Sequence, residues 1–216
     1  MKVPGRLAIT AAIIFFLAGA AGAEEKKAIP LIKPQMDSGR LLMHVLKERK
    51  SSRSFSKAKL PIRVLSNLLW AASGVNRPAT GGRTVPSAGN MQEVDVYVAL
   101  PRGLYLYDGK NHRLSHVSGQ DIRVLTGTQP YVKDAAVNLI FVSDGRKMEA
   151  VAPEERDALS SVTAGAMAQN VYLYCASEGL ATVVRASIDR PALAAAMGLR
   201  PDQKILLAQS AGYPRK

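Results

Sequence analysis

The 216-residue sequence predicts an α+β fold. Apolar residues recur at helical spacing in some segments and at period two in others. The two kinds of segment follow one another without the strict alternation of a doubly wound sheet. No internal repeat, low-complexity tract or linker divides the chain.

The first element reads as an export signal. Lys2 and Arg6 precede an apolar run from Leu7 to Ala18, and Ala21-Gly22-Ala23 forms a small-x-small cleavage site. The run is short of the roughly 20 residues a spanning helix needs. Residues 1–23 are therefore expected to be removed, with no stable membrane span left behind. Residues 24–216 form the expected single domain of 193 residues (216 less 23), and the expected location is exported, periplasmic. No twin-arginine pair precedes the run, so export in a folded, cofactor-loaded state is not indicated.

After a Pro-containing lead-in, Ser38 is placed to cap a helix whose apolar stripe is Leu41, Leu42, Val45 and Leu46. Polar residues 48–59 interrupt the pattern. Pro61 opens a second helix that buries Val64, Leu65, Leu68, Leu69 and Ala72 and ends at Gly74, the residue suited to a left-handed C-terminal position. Residues 74–90 read as a long loop, and long loops in compact domains are often functional. Val94, Val96, Val98 and Leu100 alternate along a strand over 94–100, and residues 103–117 form a hairpin with Asp108-Gly109 in its turn.

A short helix over Gln120 to Thr126 and a buried strand over Ala135 to Val142 come next. The longest helix runs from Pro153 to about Glu178 and is ended by Gly179. A strand over 180–188, a short helix from Pro191 to Met197 stopped by Gly198, and a strand over 204–214 complete the chain.

Composition narrows the function classes. The formal charge is +12, or +10 without Lys2 and Arg6. The basic residues are spread, and the densest group, Arg49-Lys50-Ser51-Ser52-Arg53, is compact; that suits one phosphate better than the stripe of contacts a duplex needs, so nucleic acid is not an expected partner. Binding to anionic surface polymers rests on net charge alone. The single cysteine, Cys175, allows no intrachain disulfide and falls within a helical pattern as core filler. His44, His112 and His116 are too scattered for a metal site, and the last two read as surface residues of the hairpin.

Two segments have site-like chemistry. Arg49 to Arg53 offers guanidinium forks and hydroxyls for an anion, or is a solvated helix end. Pro86-Ser87-Ala88-Gly89-Asn90-Met91-Gln92 gathers donors and acceptors at the mouth of a strand, suiting either the edge of a heterocycle or self-capping of the loop.

Taken in order, "RKSSRSF" (49–55), "LSNLLWAASGVNR" (65–77), "RTVPSAGNMQEVDVYV" (83–98), "GLYLYDG" (103–109), "AGAMAQNVYLYCASEGLATVV" (164–184) and "AGYP" (211–214) resemble the FMN-dependent nitroreductase-like flavoproteins, in the branch near the thiazole/oxazole-forming dehydrogenases of peptide-modifying systems. The resemblance covers about Leu42 to Pro214. It implies a mixed, mostly antiparallel sheet flanked by helices, in a homodimer with FMN at the subunit interface.

The resemblance also implies roles. Arg49 and Ser51 match positions that hold the FMN phosphate and the pyrimidine side, and Arg53 a basic position near the pyrimidine carbonyl, where a cation stabilises the reduced ring. Pro86, Ser87, Ala88 and Asn90 match residues reaching the flavin from the partner subunit, with Gln92 a further candidate. Ala186 and Ser187 match the backbone facing the reactive N5 edge, and Arg215 a basic contact to the phosphate. Tyr131 and Arg185 are candidate pocket residues, and no catalytic acid or base is identified.

This sequence departs from that pattern at Ala181, where many relatives carry a second Gly. It also lacks a counterpart of their long C-terminal arm and of the helical insertion between residues 100 and 135, which predicts a less interlocked dimer and a more open site. The implied activity is two-electron transfer to or from a small-molecule substrate by a ping-pong cycle. The alternative is a catalytically silent flavin- or nucleotide-binding module on the same fold.

Overall fold

The computed structural model describes residue 1 and residues 28–215, so the expected signal segment lies outside the described residues. Its centre is a seven-stranded sheet. Strand β1 (Ile29–Pro30) is followed by helices α1 (Leu42–Glu48) and α2 (Ile62–Ser73), then by a small hairpin of β2 (Val75–Arg77) and β3 (Gly82–Arg83). The chain continues through β4 (Val94–Leu100), β5 (Gly103–Asp108), β6 (Arg113–Ser118), β7 (Val137–Asp144), α3 (Pro153–Ser177), β8 (Ala181–Arg185), α4 (Arg190–Met197) and β9 (Gln203–Gly212). The sheet order is β1-β6-β5-β4-β7-β9-β8, and each of its pairings is antiparallel. The expected α+β class with a mostly antiparallel sheet is the observed one.

Two layers cover the sheet. On one face α2 contributes Leu65, Leu68, Leu69 and Ala72, and α3 contributes Ala164, Met167, Ala168, Val171 and Cys175; they pack on Val94, Val96 and Val98 of β4 and on Val137, Leu139 and Phe141 of β7. On the other face Leu193 and Met197 of α4 join Ile122 and Ile188 over Tyr97, Ala99, Ile140, Val142, Ile205 and Ala208. Period-two alternation predicts one buried face of β4. The second layer buries the intervening Tyr97 and Ala99 as well. Each fully buried large side chain contributes about 1.5–3 kcal/mol of transfer free energy.

Several local expectations are corrected. The first turn of α1 follows Leu41 and has no side-chain cap, so Ser38 does not serve it. Of its apolar stripe only Val45 is buried, because no other element among the described residues covers the rest: Leu41, Leu42 and Leu46 are exposed, as is Met43 beside them. Gly74 ends α2 in an extended conformation; a Cβ there would stand 2.2 Å from a Trp70 ring carbon, so close packing and not handedness requires glycine. The loop after α2 contains the β2–β3 hairpin. The expected helix over 120–126 is a single 3-10 turn, Arg123–Thr126. His112 is half-buried, bonded to the Tyr107 hydroxyl at 2.9 Å and the Ile32 carbonyl at 3.0 Å, and burial lowers its pKa. Cys175 is buried, as expected, and burial pushes its thiol up to about 12.

Candidate functional site

The Arg49–Arg53 segment leaves α1 and runs beside the edge strand β8. The Ser52 amide donates to the Thr182 carbonyl at 2.9 Å, and Phe55 bridges to Pro214 just beyond β9. Tyr172 of α3 fixes the side chains. Its phenol oxygen lies 2.7 Å from the Ser51 hydroxyl and accepts from the Val184 amide at 3.0 Å, while the Arg49 guanidinium sits 5.1 Å from its ring centroid. A cation over an aromatic face gains roughly 0.5–1 kcal/mol at such a site. Sequence reasoning missed Tyr172, whose neighbours Val171 and Tyr174 already satisfy the helical spacing of a core stripe.

Beta-strand β8 carries the chain from Val184 to Ala186 and Ser187, which are exposed just past its end. The Ser187 carbonyl accepts from the Thr128 amide at 3.2 Å. From the other side Arg215 reaches the same segment: its amide donates to the Ser54 carbonyl and its Nε to the Phe55 carbonyl, both at 3.3 Å. Its terminal nitrogen pairs with Asp134 at 3.2 Å, so that carboxylate competes with any phosphate for it. Residues 49–55 thus join β8 at Thr182 and, through Tyr172, at Val184, and take Arg215 at their far end, while Ala186 and Ser187 lie just past the end of the same strand.

The Pro86–Gln92 loop is held elsewhere. The Thr84 hydroxyl donates to the Trp70 and Ala71 carbonyls at 3.2 and 3.1 Å, and Asn170 of α3 donates to the Thr84 carbonyl at 3.1 Å. Within the loop the Ser87 hydroxyl accepts from the Gln92 amide at 3.0 Å. The Gln92 side chain accepts from Arg83 at 2.7 Å and donates to the Gly81 carbonyl and to Asn90. Gln92 is spent on holding the loop. Asn90 is exposed, and its side-chain amide N–H groups have no partner among the described residues. Gly89, Asn90 and Gln92 all take φ near +55°, which is uncommon for the latter two and persists only where the surroundings dictate it.

Tyr172 and Asn170 are two residues apart on α3, about 200° around a helix of 3.6 residues per turn. The Arg-Ser-Arg segment and the Pro-Ser-Asn loop therefore sit on opposite flanks of one helix. Among the described residues no hydrogen bond joins them.

The chemistry of the edge fits an anionic group such as a phosphate. Arg49, Lys50 and Arg53 form no ion pair among the described residues, whereas nine other cation–carboxylate contacts are present. These cations are therefore available to a phosphate, which guanidinium binds with paired donors. Among the described residues no group of three His, Cys, Asp or Glu side chains is placed to hold a metal, and no helix is long and apolar enough to cross a membrane. Tyr131 packs against Phe55 at 6.0 Å between ring centroids. Arg185 is buried and points into the layer below the edge.

Comparison with known proteins agrees with this geometry. The model of the nitroreductase family matches residues 46–213. A candidate nitroreductase of Methanocaldococcus jannaschii is 30% identical over 152 residues, 66% of this chain and 76% of that protein. The crystal structure of a candidate nitroreductase from Ralstonia eutropha JMP134 superposes with a TM-score of 0.85 at 44% identity, covering 89% of this chain and 92% of that one. A chain of the Escherichia coli microcin synthetase McbBCD complex, solved with truncated pro-MccB17 bound, shares the fold at a TM-score of 0.68 and 20% identity, covering 97% and 85%.

Proposed function

The chain belongs to the nitroreductase family, and on that premise we propose that it is an exported, FMN-dependent oxidoreductase working as a homodimer, with each flavin held between two copies. The observation that carries the shared site is the placement of the two candidate segments on opposite flanks of α3, through Tyr172 and Asn170. One chain presents Arg49 and Arg53, without carboxylate partners among the described residues, and on the opposite flank of α3 a polar loop in which the Asn90 amide N–H groups likewise have no partner. A second copy brings the loop of one to the edge of the other.

The exposed apolar residues of α1, Leu41, Leu42, Met43 and Leu46, support such a contact, since contiguous apolar patches on soluble proteins mark interaction surfaces.

Bound there, the flavin would supply two-electron chemistry at N5 between a donor and a small-molecule acceptor in a ping-pong cycle. The protein's own part is binding and electrostatics. Arg49 and Ser51, oriented by Tyr172, hold the phosphate side. Arg53 stabilises negative charge on the pyrimidine. Ala186 and Ser187 present backbone to the reactive edge, and Pro86, Ser87, Ala88 and Asn90 of the second copy close the site. Arg215 joins the phosphate contacts if it leaves Asp134. The export signal read from residues 1–23 supports a periplasmic location, where a donor such as a quinol would stand beside or in place of cytoplasmic nicotinamide nucleotides.

The test is a visible spectrum of protein purified from the exported fraction, before and after added FMN, followed by titration with NADPH and with quinols. A flavin band near 450 nm (a rough figure for bound flavin) that bleaches with one of these donors is the expected result. A colourless protein that takes up no FMN overturns the proposal; a flavin that binds but that no donor reduces leaves a binding module in its place.

A further inference from the structure

Arg185 is 5% exposed and has no carboxylate within ion-pair distance among the described residues. Its partners are all neutral: the Thr126 carbonyl, the Thr126 hydroxyl at 3.4 Å, Asn138 Oδ1 at 3.1 Å and the Ser210 hydroxyl at 3.0 Å. Among the described residues its Nε has no partner, and neither does the buried Oε1 of Gln129 nearby. Gly127 seals the group: a Cβ there would stand 2.0 Å from Arg185 Nη1 and 2.8 Å from Gln129 Oε1. Asn138 is itself locked by Ser210 and by its own bond to the Val132 carbonyl at 2.8 Å, so the network cannot relax around the cation.

A buried guanidinium without an anion is unfavourable for folding, because dipoles only partly replace the water it has lost. Burial lowers its pKa to about 10, which still leaves it charged at neutral pH. The guanidinium packs on Thr126 and Gly127, and the next residue, Thr128, donates its amide to the carbonyl of Ser187, which with Ala186 is assigned above to the reactive flavin edge. A charge sealed from water is little screened from such a neighbour.

We infer that Arg185 is the standing counter-charge for the reduced cofactor, a buried cation whose missing anion arrives when the flavin at the neighbouring strand end accepts electrons. The inference rests on the flavin reading proposed above. Uptake of two electrons and one proton adds one negative charge to the flavin, and the cation favours that form over the oxidised one. Arg185 is thus a positioning residue for charge; it touches neither substrate nor cofactor.

The experiment is potentiometric titration of FMN-loaded protein with dithionite against a reference dye, for wild type, R185K, R185Q and N138D. R185K keeps the charge and is expected to keep the wild-type midpoint. R185Q removes the charge, and N138D neutralises it in place by putting a carboxylate oxygen 3.1 Å from Nη2. Each is expected to lose at least tenfold in preference for reduced over oxidised FMN, which is about 30 mV more negative for a two-electron couple. A purely structural role would lower the melting temperature of R185K and R185Q alike and leave the potential unmoved; that result overturns the inference. Should R185Q not fold, an unchanged potential in N138D alone overturns it. Wild-type protein that takes up no FMN refutes the flavin reading itself, a distinguishable failure.

Discussion

The Ser51 hydroxyl and the Tyr172 phenol oxygen lie 2.7 Å apart, and the same phenol accepts the Val184 amide, so one helix side chain ties the phosphate-side segment to the strand that leads to the reactive edge. Tyr172→Phe keeps the ring under Arg49 but strands the Val184 amide. That bond is only part-buried, so the expected cost is about 0.5–1.5 kcal/mol of stability, the net worth of one hydrogen bond, together with weaker FMN retention. Thermal unfolding and FMN titration check the two effects; a variant unchanged in both contradicts the role of Tyr172.

Arg53 is exposed and forms no ion pair among the described residues. Arg53→Ala is therefore expected to change stability by no more than about 0.5 kcal/mol. It should nevertheless release FMN more readily and make the bound flavin harder to reduce, as read by dialysis and reductive titration. Normal retention and normal reduction together would mean that Arg53 does not face the pyrimidine.

Leu42 is 61% exposed on α1. Leu42→Asp should leave the melting temperature of the subunit nearly unchanged while shifting its mass in light scattering from dimer to monomer. A variant still dimeric at micromolar concentration places the interface away from α1.

Cys175 is fully buried and its thiol is pushed up to about 12 by burial, against an ordinary value near 8.5. The thiolate is the reactive form, so native protein at pH 8 should resist a thiol reagent that reacts at once in denaturant. The sign of the pH effect follows. The neutral thiol is favoured by folding, so this contribution to stability is complete below the unfolded value and is lost as pH rises through the alkaline range towards 12. Rapid labelling of native protein at pH 8 would contradict the burial.

Much of this architecture was legible in the residues. The period-two run from Val94 to Leu100 is β4 residue for residue, and Pro153 and Gly179 punctuate α3 as expected. Helical spacing in α1 identifies a helix with an apolar stripe, but periodicity reports that a face is apolar and not what covers it, and only Val45 of that stripe is buried. Gly74 shows a similar limit: glycine satisfies both a left-handed end and a close approach, and only the Trp70 contact tells them apart. At the site, the motif positions gave the segments, but side-chain commitments were invisible. Gln92 is engaged by Arg83 and Gly81, and Arg215 by Asp134, through partners set by tertiary packing. The isolation of Arg185 from every carboxylate among the described residues was equally beyond local pattern, since it depends on which strands flank β8.

The central claim is a flavin site completed by a second copy, and mixed dimers test it most directly. Arg53→Ala and Asn90→Ala subunits carrying different tags are co-expressed, and the heterodimer is isolated and its FMN counted. One site in such a heterodimer carries both changes and the other carries neither. Homodimers of either variant should retain FMN poorly, and the heterodimer should retain one FMN at wild-type affinity. A heterodimer with no intact site would contradict the claim.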